Sequence, residues 1–189
     1  MRIISGIKKG HKLLTTKNQI ARPISDKNRE TIFNLLVHGK EIIELDFSLN
    51  DSMVLDLFAG TGSFSFEALS RGANHATLIE KDHNMIDLIY ENLNKLDLLS
   101  NATVINKDCM KIQSLSFKNK FNLVFMDPPY RKELEFKLLD RIFMLDCFSR
   151  NCIFIIEQAI KTSYIKNKHL SLLRIKEIGT SQFLFYKKN

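Results

Sequence analysis

Breakers are scarce in this chain: seven glycines and three prolines in 189 residues. That scarcity excludes a low-complexity chain, and each breaker that does occur marks a place where the backbone must turn. Cysteine is scarcer relative to its uses. Cys109, Cys147 and Cys152 are odd in number, and no two have the spacing of a zinc or redox pair. They read as isolated reduced thiols. His11, His38, His75, His83 and His169 never stand at ligand spacing from another His or Cys, so no metal site is expected. No apolar run is long enough to span a bilayer. The N-terminal stretch lacks the apolar core and cleavage site of a signal peptide. A cytoplasmic protein without a membrane partner is expected.

The charge that is present is unevenly placed. The formal net charge is +7, with +7 on residues 1–29, +6 on residues 161–189 and −6 on the stretch between. Basic ends around an acidic centre fit a polyanion partner, and equally a solvated lysine surface. The N-terminal cations Arg2, Lys8, Lys9, Lys12, Arg22 and Arg29 are the candidate phosphate contacts.

From Met53 onward, short apolar runs alternate with amphipathic ones. Met53–Leu57, 76–79, 103–105, Phe121–Met126 and 152–156 have strand length and strand composition. Ser63–Ser70, 82–96 and 132–146 read as helices between them. This alternation predicts an α/β fold with a mostly parallel sheet. Residues 171–178 and 182–187 carry no helix between them and predict a C-terminal antiparallel hairpin at the sheet edge. At the start, 2–5 and 12–15 flank Gly6–Gly10 and predict a small β-hairpin. A helix follows from Asp26 to Val37, with Ser25 as N-cap and Gly39 as stop. Residues 1–25 read as an appendage and 26–189 as the catalytic domain.

Four strand ends carry chemistry. Asp56-Leu57-Phe58-Ala59-Gly60-Thr61-Gly62 runs from a buried strand through a Gly-x-Gly turn into a helix. Glycines there let the backbone approach a ligand, and the amides at a helix start suit polar groups. A dinucleotide fingerprint requires a third glycine where Ser65 stands, which argues against a nicotinamide cofactor. Asp56 suits a cationic group instead. Glu80, followed by Lys81, ends the next strand 20 residues beyond Gly60, where a carboxylate can accept from ribose hydroxyls. Asp108-Cys109 follows the third strand and could accept from an adenine amine. The fourth end is Asp127-Pro128-Pro129-Tyr130. An exocyclic amine on a base is a poor nucleophile, because its lone pair is delocalised into the ring. The Asp127 carboxylate and Pro128 carbonyl can each accept one N–H, favouring a tetrahedral nitrogen with its lone pair aimed at an electrophilic methyl. Tyr130 offers a face for base stacking.

Taken together, these stretches resemble the RsmD-like family of 16S rRNA guanine-N2 methyltransferases. The most particular matches are Arg22-Pro23-Ile24-Ser25-Asp26-Lys27-Asn28-Arg29-Glu30 and the basic hairpin before it. Glu67-Ala68-Leu69-Ser70-Arg71-Gly72-Ala73 and Asp127-Pro128-Pro129-Tyr130 add to them. The resemblance implies a class I (Rossmann-like) methyltransferase fold with a seven-stranded sheet and S-adenosylmethionine as cofactor. It implies a guanine near the decoding region of 16S rRNA as target, within a small ribosomal subunit or an assembly intermediate. A monomer is expected. Asn28 and Cys109 stand where the family more often has an apolar residue and alanine. Asp-Pro-Pro-Tyr also serves adenine-N6 and cytosine-N4 DNA methyltransferases, but no DNA-recognition domain is evident. An RNA-binding assembly factor without catalysis is the reading from another class.

Overall fold

The computed structural model describes residues 1–15, 24–112, 120–129 and 134–189. Seven strands form one sheet: β1 (Met53–Leu57), β2 (His75–Glu80), β3 (Ala102–Asn106), β4 (Phe121–Met126), β5 (Phe148–Ala159), β6 (Leu170–Ile178) and β7 (Ser181–Lys188). Their order is β3-β2-β1-β4-β5-β7-β6. β1 to β5 run parallel to one another, and β7 pairs antiparallel with both β5 and β6. The expected C-terminal hairpin is present, but its last strand is the inner one. That follows from composition: β7 is buried through Tyr186, whereas β6 carries Arg174, Lys176 and Glu177 on a half-open strand. Charges of this kind protect an edge from further pairing.

Alternate residues of each central strand feed opposite faces, as a two-residue period requires. Val54, Leu123, Phe125, Ile153, Ile155, Phe183 and Phe185 join the core under α1 (Asp26–His38), α3 (Ser63–Ser70) and α4 (His83–Leu96). Leu55, Leu57, Val124, Met126, Phe154, Ile156 and Leu184 face α5 (Leu134–Phe143). Phe64 of α3 stacks on Phe125 at 4.0 Å between ring centroids. A short helix α2 (Lys40–Ile43), not foreseen in the sequence, follows the stop at Gly39. The expected cap is in place, with Ser25 Oγ accepting from the Asn28 amide; Asp82 caps α4 by accepting from Asn84 and Met85.

The N-terminal hairpin is looser than expected. Arg2 and Lys12 form a single bridge instead of two strands. The reason lies in α3, where the Glu67 carboxylate takes the Ile4 and Ser5 amides at 2.8 and 3.0 Å. Ser70 takes two more amides, its carbonyl accepting from Ile7 and its hydroxyl from Lys8. Gly6 lies so close to the end of α3 that a Cβ on it would stand 1.7 Å from the Ser70 carbonyl oxygen. Ile3 and Leu13 are buried in the same core as the helices.

Candidate functional site

The strand order reverses between β1 and β4. The helix after β1 packs on one face and the helix after β4 on the other, so a crevice opens beyond Leu57 and Met126. Ligands of open α/β sheets bind in such a crevice.

The turn after β1 is shaped by left-handed backbone. Phe58, Gly60 and Gly62 have φ of +62°, +54° and +74°. At Gly62 the requirement is double, because a Cβ would also meet the Phe66 ring at 2.8 Å. At Gly60 a Cβ would meet nothing nearer than 3.9 Å, so that glycine faces open space, where a ligand can approach the backbone. Glu80 curls back to this turn. Its Oε2 accepts from the Gly60 amide at 2.8 Å, and its Oε1 from the Lys81 and Asp82 amides at 2.8 and 2.9 Å. An ionised carboxylate has about four acceptor positions, so three amides fix the group and leave capacity for a ligand hydroxyl. Lys81 contributes that backbone amide; its side chain is exposed.

Asp56 lies beneath the turn and is 1 % exposed. Ser65, on the first turn of α3, donates its hydroxyl to Asp56 Oδ2 at 2.6 Å. Loss of hydration pushes the Asp56 carboxyl up to about 7; the Ser65 bond opposes the shift and Glu80 adds to it. Asp108 caps the one-turn helix Cys109–Lys111 by accepting from the Met110 amide. Burial pushes the Cys109 thiol up to about 12, and Glu80, Asp108 and Asp56 all add to that shift. The expected cofactor residues therefore converge, and Cys109 remains a thiol.

Asp127 follows β4 directly. Burial raises its pKa well above the usual carboxylate range, followed by repulsion from Glu157 and Asp56. Pro128 is buried and Pro129 exposed; Tyr130 lies outside the described residues. Glu157, 7 % exposed on β5, was missed from the sequence. The signal was there: like Glu80 and Asp127, it is an acid directly after an apolar strand run, Ile153-Phe154-Ile155-Ile156.

A cluster of acids with raised pKa values is under-ionised until a cation arrives, and it weakens the fold at alkaline pH. Asp56 illustrates the sign. Its folded pKa is about 7 against 3.8 ordinarily, so the folded chain holds the proton that the unfolded chain has lost. The stability is present in acid and disappears as pH rises through 7. Between pH 5 and 8 this linkage removes roughly 2–3 kcal/mol from the ligand-free protein. Asp56→Asn cannot ionise, so the stability of the variant relative to the parent should rise by that amount over the same range. Urea unfolding at both pH values measures it; a pH-independent difference would contradict the assignment.

The proposed phosphate contacts are placed differently from one another. Arg2, Lys9 and Lys12 are exposed and Lys8 is half-buried; Arg22 lies outside the described residues. Arg29 is a correction. It is 0 % exposed and cannot reach a phosphate, because its guanidinium is enclosed between Asp26, the Arg2 carbonyl and Glu67. The hairpin lysines, moreover, sit at the far end of α3 from the Gly-x-Gly turn. The helix spans eight residues, roughly 12 Å.

The family model described as "Conserved hypothetical protein 95" matches residues 1–187. The Ribosomal RNA small subunit methyltransferase D of Haemophilus influenzae is 30% identical over 189 residues, covering 99% of this chain and 93% of the relative. That of Escherichia coli K12 is 38% identical over 134 residues, covering 71% and 62%. Among solved structures, the Escherichia coli protein yhhF, named as a candidate methyltransferase, superposes with a TM-score of 0.84. It is 31% identical, with 100% of this chain and 97% of that one covered. The magnesium protoporphyrin IX methyltransferase of Synechocystis, solved with bound S-adenosylmethionine, is 16% identical with a TM-score of 0.61. It covers 85% of this chain and 79% of its own, a likeness of fold. The sheet order and these neighbours establish the Rossmann-like class I methyltransferase fold.

Proposed function

The chain belongs to the family described as Conserved hypothetical protein 95, and from that premise we propose that it methylates the exocyclic N2 amine of a guanine in 16S ribosomal RNA. The coarser activity, S-adenosylmethionine-dependent methylation of ribosomal RNA, follows the names of its relatives. The observation that carries the proposal is one edge of the sheet. There the Gly60–Gly62 turn of β1 and the Asp127-Pro128 end of β4 open on the same crevice, from strands paired in register at Leu57 and Met126.

S-adenosylmethionine supplies a methyl group on a sulfonium and carries a second cation at its amino-acid end. The site fits that charge, because Asp56, Asp127 and Glu157 crowd three acids at the crevice. Asp56 and Asp127 ionise more readily beside a cation. Glu80, already fixed by three amides, accepts a ribose hydroxyl. Asp108 and the backbone at Cys109 face the adenine side. Asp127 and the Pro128 carbonyl accept the two N–H groups of the guanine amine and aim its lone pair. Bound S-adenosylmethionine would supply the methyl and keep the electron pair of the broken carbon–sulfur bond as a neutral thioether, and the methylated amine would have one proton to shed. Asp127, kept basic by burial and its acidic neighbours, is suited to take it. Tyr130 is assigned the stacking role from the sequence, and Arg2, Lys8, Lys9 and Lys12 the phosphate contacts.

Glu80→Ala should weaken S-adenosylmethionine binding by roughly 1.5–3 kcal/mol, the range for hydrogen bonds to a charged group. Calorimetric titration measures it, and an unchanged Kd would remove Glu80 from the cofactor site. The function as a whole is tested by mass mapping of modified nucleosides in 16S rRNA from cells lacking the protein. One N2-methylguanine should revert to guanine. Loss of a methylated adenine or cytosine, or of a DNA mark, would replace this reading with another.

A further inference from the structure

The basic C-terminal segment has no part in the site described above. We propose that the segment from Lys161 to Lys166 is a second RNA contact, in which Tyr164 stacks on a base flanking the target and Lys161 and Lys166 hold adjacent phosphates. The inference rests on the reading of the substrate as RNA.

Its place follows from the strand register. β5 runs parallel to β4 and ends at Ala159, two residues past Glu157, at the same edge as Asp127. Lys161 therefore stands at the rim of the crevice, whereas the N-terminal lysines lie at the opposite edge. The segment is firmly held. The Ile160 amide donates to the Thr180 carbonyl at 3.0 Å, and Gln182 Nε2 donates to the Thr162 carbonyl at 2.6 Å. The Ile165 backbone exchanges two hydrogen bonds with the Tyr186 hydroxyl, at 2.9 and 3.1 Å. Ile165 is 1 % exposed and anchors the segment in the core.

What this rigid frame presents is a ring and two cations. Tyr164 is 44 % exposed and leaves its ring open to solvent. Lys166 Nζ lies 5.7 Å from the centre of the Tyr164 ring. Lys161 has a φ of +69° at the turn after β5, a conformation uncommon outside glycine. It holds an exposed cation at the turn. An aromatic face beside lysines is the recurring means of gripping single-stranded nucleic acid without reading its sequence. The charge agrees, since residues 161–189 carry +6.

The test uses the full chain, small-subunit particles lacking the modification, and deproteinised 16S rRNA. Tyr164→Ala should lower kcat/KM on particles about tenfold through KM, and Tyr164→Phe should stay close to the parent. Lys161→Ala with Lys166→Ala should flatten the salt dependence of RNA binding by roughly 1.4 log units, about 0.7 for each lost contact. S-adenosylmethionine affinity should not move in any of them. An unaltered salt slope in the lysine pair overturns the proposal, even if Tyr164→Ala fails to fold. So does a particle defect with undiminished binding to bare RNA, which would assign the surface to a ribosomal protein. Absence of methyl transfer by the parent protein would instead refute the proposed function, and the two failures are thereby told apart.

Discussion

Asp127→Ala slows single-turnover methyl transfer to small-subunit particles by about 10²–10³ at saturating cofactor, the loss seen when a preorganised electrostatic partner is removed. The interaction is weak with the planar ground-state amine and strengthens as the nitrogen becomes tetrahedral and partly positive, so kcat falls while KM changes little. The same substitution should make the ligand-free protein more stable at pH 8. Asp127 is held well above its ordinary pKa by burial, Glu157 and Asp56, so its ionised form strains the fold. A slower enzyme with a higher Tm is the signature of a group kept for chemistry at the expense of stability. Asp127→Asn keeps an acceptor oxygen and loses the charge, and should fall between parent and alanine variant. A near-normal rate for Asp127→Ala would end the amine-holding mechanism.

Glu67→Ala should destabilise the protein by about 3–5 kcal/mol, the cost of breaking a buried ion pair from one side. Glu67 is fully buried and serves four partners. Arg71 Nε donates to it at 2.7 Å, Arg29 Nε lies at 3.5 Å, and the Ile4 and Ser5 amides complete the shell. Without it, Arg29 keeps, among the described residues, the half-exposed Asp26 and the Arg2 carbonyl, and two backbone amides lose their acceptor. The N-terminal segment should then detach, so trypsin should cut after Lys8 or Lys9 well before global unfolding. Glu67→Gln, which keeps the shape, should cost less. Equal stability of Glu67→Ala and parent in urea would show that the network is dispensable.

Much of this was legible because it is written in short windows. β1, β4 and α3 fall on the boundaries that apolar period and glycine placement predict. Ser25 and Gly39 act as the cap and stop that the sequence predicts. The strand-ending acids converge at one edge because every parallel strand delivers its carboxyl end there. Where the reading failed, the deciding partner was remote. Arg29 looked like one more basic residue in a basic segment, and its role depends on Glu67, 38 positions away. The hairpin keeps backbone bonds between Ile3 and both His11 and Gly10, but its Ile4 and Ser5 amides go to that same Glu67.

The sequence by itself determined the alternating elements, the two-residue burial pattern and the identity of the groups at each strand end. All of these depend on neighbours within a turn or a strand. Only the tertiary structure decided that Asp56, Asp127 and Glu157 meet at one crevice, where Glu157 and Asp56 raise the Asp127 pKa. It alone decided that Ser65 fixes Asp56, that β7 inserts beside β5, and that one lysine group lies at the reacting edge and the other at the opposite edge. Charge repulsion, desolvation and strand order are properties of distance in space, and distance along the chain does not encode them.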